Sequence, residues 1–132
     1  MWRSIIALLC LTAILAGCET LYPYREQFDK SSRDYNRMVR WSELNQAAVN
    51  YADKATRSDY EKHLAAAKGA KIADFRVKSV DYDEEKKSAE VLVEFDYYGP
   101  SGLTLKTVED RQQWHYVEKD GWRLTSMPPA FQ

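Results

Sequence analysis

The side chains able to do chemistry are few and scattered. Only two histidines occur, His63 and His115. Neither has a second histidine or a cysteine at ligand spacing, so no zinc site is expected. His63 precedes Leu64 in a helical stretch and reads as solvated. His115 lies between Trp114 and Tyr116 on a strand-like run, so it points to the face opposite both. Asp81, Asp83 and Glu85 alternate ahead of Lys86 and Lys87. A calcium loop wants such spacing together with a glycine for its sharp turn. The glycine is missing, and the stretch reads as a charged hairpin tip. Glu109, Asp110 and Arg111 interrupt a strand-like run. A carboxylate turned into an apolar interior has a raised pKa and can serve as a general base. The bland alternative is a set of surface ion pairs, which contribute little. Trp41 and Trp114 are candidates for lining a ligand pocket or an interface, with Trp122 beside them. Periodic aromatics are more often core. No nucleophile–base pair, metal constellation or phosphate-binding loop stands out, so no catalytic residue, metal or cofactor is assigned.

The amino-terminal segment carries the strongest signal. Arg3 precedes Ile5–Leu15, which is apolar except for Thr12. Eleven helical residues span about 16 Å, roughly half a hydrocarbon core, which suits a signal peptide better than a membrane span. Leu15-Ala16-Gly17-Cys18 follows at once. These four residues resemble the lipobox of bacterial lipoproteins. The resemblance implies cleavage between Gly17 and Cys18, a diacylglyceryl thioether on Cys18, and usually an acyl group on the new amino terminus. At about 0.8 kcal/mol per buried methylene, two or three chains anchor a protein effectively permanently. Glu19 after the lipid site implies the periplasmic face of the outer membrane, if the cell has two membranes. Cys10 would leave with the signal peptide, and the mature chain would have no thiol free for a disulfide.

The boundaries expected are a signal peptide over 1–17, a lipid-anchored tether over 18–30, and one α+β domain over 31–132. The net charge is −1, and loss of Arg3 with residues 1–17 takes it to −2. No basic surplus is left for a phosphate backbone, so nucleic acid is not an expected partner.

The elements that must position the candidates follow from periodicity. Tyr35, Met38, Val39 and Ser42 share a helical face, and Leu44, Ala48, Tyr51 and Ala55 form a second stripe. A break near Trp41-Ser42 separates them, with Ser42 as the expected cap of the second helix. Ser58 and Glu61 have capping-box spacing ahead of a third helix, which Gly69 is placed to end. The period then becomes two. Phe75, Val77, Val80 and Tyr82 predict a strand with a register break near Lys78-Ser79. Ala89, Val91, Val93, Phe95 and Tyr97 alternate with Glu90, Leu92, Glu94 and Asp96, predicting a strand with one buried face. Leu103–Val117 predicts a long third strand, with a bulge expected between Leu105 and Val108. Asp120-Gly121 is a hairpin turn. Trp122 and Leu124 begin the last strand, and Pro128-Pro129 ends it.

Helices followed by a four-stranded antiparallel meander make an α+β fold, with the helices packed on one face of a curved sheet. The order resembles the nuclear-transport-factor-2-like or cystatin-like cone, over roughly residues 31–131. Arg40-Trp41, Gln113-Trp114-His115-Tyr116 and Gly121-Trp122-Arg123-Leu124 carry the likeness to small proteobacterial lipoproteins with such a domain. An anchor and a compact fold, with no nucleophile–base pair, metal constellation or phosphate loop, point to an envelope module that binds a partner protein or a small apolar ligand without catalysis. The alternatives are a ketosteroid-isomerase-like enzyme using one buried carboxylate, and a structural assembly factor of an envelope complex. A carboxylate at the base of a closed pocket would favour the enzyme, and an exposed apolar patch the assembly factor.

Overall fold

The computed structural model describes residues 23–132, so the lipobox with Gly17 and Cys18 lies outside the described residues. Three helices precede four strands. Helix α1 spans Pro23–Arg40, α2 Leu44–Tyr51 and α3 Arg57–Ala66; strand β1 spans Lys71–Asp83, β2 Ser88–Tyr98, β3 Leu105–Val117 and β4 Gly121–Leu124. The sheet is antiparallel throughout, in the order β1-β2-β3-β4. The α+β class expected from the sequence is the one observed.

Helix α1 begins eight residues before the end of the expected tether. Proline suits a first helical position, where its missing N–H would have no partner. Glu26 lies in the first turn and Arg37 and Arg40 in the last, matching the helix dipole. An ion pair of 3.2 Å links Arg25 to Asp29 one turn on. The buried face is Phe28, Ser32, Tyr35, Asn36 and Val39. Residues 23–30 are therefore part of the domain, and Phe28 is among its most buried side chains.

The break after α1 falls where expected, but Ser42 has a different role. It adopts φ 59°, donates its N–H to the Val39 carbonyl, and is followed by Glu43 N–H on Met38 O. That pair of bonds ends α1 in a Schellman motif, with serine in the left-handed position usually held by glycine. The residue preceding α2 is Glu43, with no side-chain capping bond. Ser58 lies inside α3, whose preceding residue is Thr56, so the expected capping box does not form. Gly69 follows α3 at φ +89°, and a β-carbon there would come within 3.3 Å of Pro100.

Strand β2 has the predicted alternation, with Ala89, Val91, Val93, Phe95 and Tyr97 buried. Strand β1 is bulged between Val77 and Ser79, as expected, and again between Ile72 and Asp74. Strand β3 has no bulge: it pairs with β2 in unbroken register from Leu105 opposite Tyr98 to His115 opposite Ser88. Its inward positions are Val108, Asp110, Gln112 and Trp114. The apparent slip arises because Leu105 is an apolar residue on the outer face, 51% exposed, whereas Val108 is on the inner one. Beyond β4, Pro128, Pro129 and Phe131 are also buried, and the Phe131 ring meets Phe95 and Tyr97 at 5.7 and 5.2 Å.

Candidate functional site

The alternation of β3 sends Glu109 and Asp110 to opposite faces of the sheet. Glu109 is exposed on the outer face, opposite Glu94. Asp110 is 4% exposed and points at the helices. Gln112, two residues on, donates from Nε2 to Asp110 Oδ2 at 2.8 Å and to Asn36 Oδ1 at 2.7 Å. Asn36 Nδ2 in turn donates to the Ser32 carbonyl at 2.9 Å, and Trp114 Nε1 donates to Gln112 Oε1 at 3.2 Å. The Tyr35 and Tyr60 hydroxyls share a hydrogen bond of 2.5 Å in the same interior. Burial raises the Asp110 carboxyl to about 6, against the opposing pull of the Gln112 bond. Burial also raises Tyr35 well above its ordinary value, with Tyr60 and Asp110 adding to the shift.

This cluster ties α1 to β3. It can hold a proton near neutrality, but the residues around it are packed core. Trp114 is buried among Phe28, Tyr35 and Tyr51, with ring centroids at 6.1, 5.6 and 5.8 Å. Four surface grooves occur on the domain, and none of these four is lined by Glu109, Asp110, Trp41 or Trp114. The structure thus separates the four binding candidates: Asp110 and Trp114 are interior, Glu109 faces outward, and Trp41 is 65% exposed. The Arg40 guanidinium lies 4.6 Å from the Trp41 ring centroid. Trp122 is core and donates from Nε1 to the Tyr24 carbonyl at 3.0 Å.

Three further titratable candidates, His63, His115 and Asp83, have surface partners. His63 Nδ1 is 2.7 Å from the Asp59 carbonyl, and His115 Nε2 is 3.8 Å from Asp53 Oδ1. Asp83 Oδ1 accepts from the Lys86 N–H at 3.0 Å and closes the β1–β2 turn. Among the described residues, no three His, Cys, Asp or Glu side chains converge as a metal site. No described helix is long and apolar enough to cross a membrane.

A second region is built from the two ends of α1. Its first turn lies where the β1–β2 and β3–β4 turns meet: the Tyr24 ring is 4.9 Å from Tyr116, and Lys87 Nζ is 4.0 Å from the Tyr24 ring. Its last turn lies at the other end of the sheet, where Arg40 Nη1 donates to the Ile72 carbonyl at 2.7 Å. Eighteen residues of helix separate the two ends by about 27 Å. At the far end of the sheet the β2–β3 turn carries Leu103, which is 97% exposed, and Leu105 on the outer face is exposed as well. A groove of about 400 Å³ between Ser42 and Ala70 adjoins one of about 580 Å³ between Lys71 and Leu103; Gly69 lines both.

Sequence reasoning did not find Asn36, Gln112, the Tyr35–Tyr60 pair or Leu103. The signal for the first two was present as polar residues at periodic core positions. Nothing local marks Leu103, whose neighbours are turn residues. Comparison with protein-family models, curated proteins and solved structures finds no match for this chain.

Proposed function

We propose that this chain is a lipid-anchored cell-envelope module, held through Cys18 on the periplasmic face of the outer membrane. It engages a partner protein with the end of the domain farthest from the anchor. The observation that carries the partner reading is the exposure of Trp41 and Leu103 at the end of α1 opposite its start. Leu103 also rims a groove, and exposed large apolar side chains at a groove form the kind of surface on which partner proteins dock.

The chain geometry supports the arrangement. Only four residues separate Cys18 from Pro23, so five extended steps of at most about 18 Å connect a lipidated Cys18 to α1. The α1 amino-terminal end is held near the membrane surface, and the Trp41 end is directed away. The small-ligand version of the reading has less support, because the interior is filled by Phe28, Tyr35, Phe95 and Trp114. The isomerase-like alternative needs a path for substrate to Asp110, which is packed beneath α1 and bonded to Gln112. The assembly-factor alternative shares the exposed apolar end and differs in whether the partner is held permanently.

Photo-crosslinking in cells tests the reading. A crosslinker at position 41 or 103 is expected to give an adduct with one defined envelope protein, lost on Leu103→Asp in a chain carrying the crosslinker at 41. The same crosslinker at Glu118 is expected to give no such adduct. Equal labelling from all three positions, or none from 41 and 103, contradicts it.

A further inference from the structure

The free edge of the sheet is unevenly covered. The β4 edge is met by the chain itself: Ala52 bridges to Leu124, and Asp53 N–H donates to the Leu124 carbonyl at 2.9 Å. Strand β1 is the other edge and pairs only with β2. Its first residues are engaged, since Arg40 takes the Ile72 carbonyl and the Asp74 side chain takes the Phe75 N–H at 2.9 Å. Beyond them, Val77 is 50% and Val80 41% exposed. Both line a groove of about 240 Å³ facing Phe28, Ser32 and Asn36 of α1. In a regular strand, residues three apart lie on opposite faces. The bulge between Val77 and Ser79 removes that opposition and puts both valines on the helix side.

We propose that two copies of this chain pair antiparallel through their β1 edges, about a two-fold axis at Lys78-Ser79. In this register Val77 lies opposite the partner's Val80, and Phe75 opposite the partner's Tyr82. On the outer face Arg76 lies opposite the partner's Asp81. Each match occurs twice by symmetry, as an isologous interface requires. Directly opposed apolar and opposite-charge pairs are the stabilising units of an antiparallel ladder. Asp81 has no ion pair among the described residues, whereas Arg76 already holds Glu94 and Asp96. The match stops where Asp74 would meet the partner's Asp83, a like-charge pair. An edge bulge ordinarily discourages strand addition. Here the axis sets bulge against bulge, so the extra residues match and the register is kept. A peptide of regular geometry lacks that compensation, which favours a second copy as the occupant. The proposal does not depend on lipid anchoring.

Sedimentation of the full chain in mild detergent tests the association. The expected result is twice the mass of a single chain, reduced to the single mass by Val80→Lys with an unchanged circular-dichroism spectrum. Register is tested by oxidising mixed full chains. An equimolar mixture of Val77→Cys and Val80→Cys is expected to give a crosslinked dimer above the background of the unsubstituted chain, and Val77→Cys alone is not. A wild-type chain that stays single at the highest soluble concentration overturns the proposal. So does a dimer that survives Val80→Lys, or a mixture that crosslinks no better than either variant alone.

Discussion

Asn36 on α1 and Gln112 on β3, 76 positions apart, share a buried hydrogen bond of 2.7 Å. Through Gln112 the bond extends to Asp110 and Trp114, so one amide organises the buried polar cluster between α1 and β3. A satisfied polar network in a core fixes how its elements dock, and a broken one leaves several groups unpaired. Gln112→Met keeps the volume and removes the amide. It is expected to lower stability by about 2 to 4 kcal/mol, because Asn36, Asp110 and Trp114 each lose a partner. Urea unfolding of Gln112→Met, Asn36→Leu and the double variant checks this. Additive losses would show that the two side chains are not coupled.

Asp110 gives a pH dependence of definite sign. Its carboxyl has an ordinary value of 3.8 and is raised in the fold to about 6. The folded state therefore holds the proton more tightly than the unfolded chain. The neutral group costs nothing below the lower value, and the penalty for ionising it grows as pH rises from about 4 to 6. At pH 7 that penalty is roughly 3 kcal/mol, from about two units at 1.36 kcal/mol each. Asp110→Asn removes the ionisation and leaves an acceptor for Gln112. Its stability relative to wild type is expected to rise between pH 4 and 7. A constant difference over that range would mean that Asp110 does not titrate there.

Phe28 tests whether the segment before Lys30 belongs to the domain. It packs against Trp122 at 5.1 Å and Tyr82 at 5.5 Å between ring centroids. Phe28→Ala is expected to cost about 3 to 5 kcal/mol, as for other large-to-small core changes. A chain beginning at Ser31 is expected to fail to fold cooperatively. Unchanged melting in either case would return residues 23–30 to the status of a tether.

The two faces of β2 make a further contrast. Phe95 is fully buried, and Phe95→Ala is expected to cost about 3 to 5 kcal/mol. Glu94 lies on the outer face beside Arg76 and Lys78, where ion pairs are solvated. Glu94→Ala is expected to leave the thermal midpoint near that of wild type. Equal midpoints for the two variants would contradict the observed orientation of the sheet.

What the sequence makes legible follows the physics of each element. Strand β2 is plain because every inward residue is apolar and three of the outward ones, Glu90, Glu94 and Asp96, are charged. The β1 bulge is plain because the apolar period breaks between Val77 and Val80. The start of α1 is hidden because Ser32 occupies a buried turn of the stripe running from Phe28 to Tyr35. The register of β3 is hidden because Leu105 is apolar on the outer face while Asp110 and Gln112 are polar at core positions. Ser42 and Ser58 mislead because a serine ahead of an apolar stripe reads as a helix cap, whereas Ser42 takes the left-handed position that ends α1 and Ser58 lies inside α3. The candidate residues were readable as types, but their separation was not. Adjacent carboxylates on a strand must diverge, and which one turns inward depended on a register that the polar pair obscured.

The anchoring of Cys18 is the claim on which the proposed function rests most heavily. Mass spectrometry of the protein purified from membranes measures it directly. The expected amino terminus is Cys18 carrying a thioether-linked diacylglyceryl group, with unprocessed precursor accumulating in Cys18→Ser. A mature chain with an unmodified Cys18, or one beginning at another residue, would contradict the account.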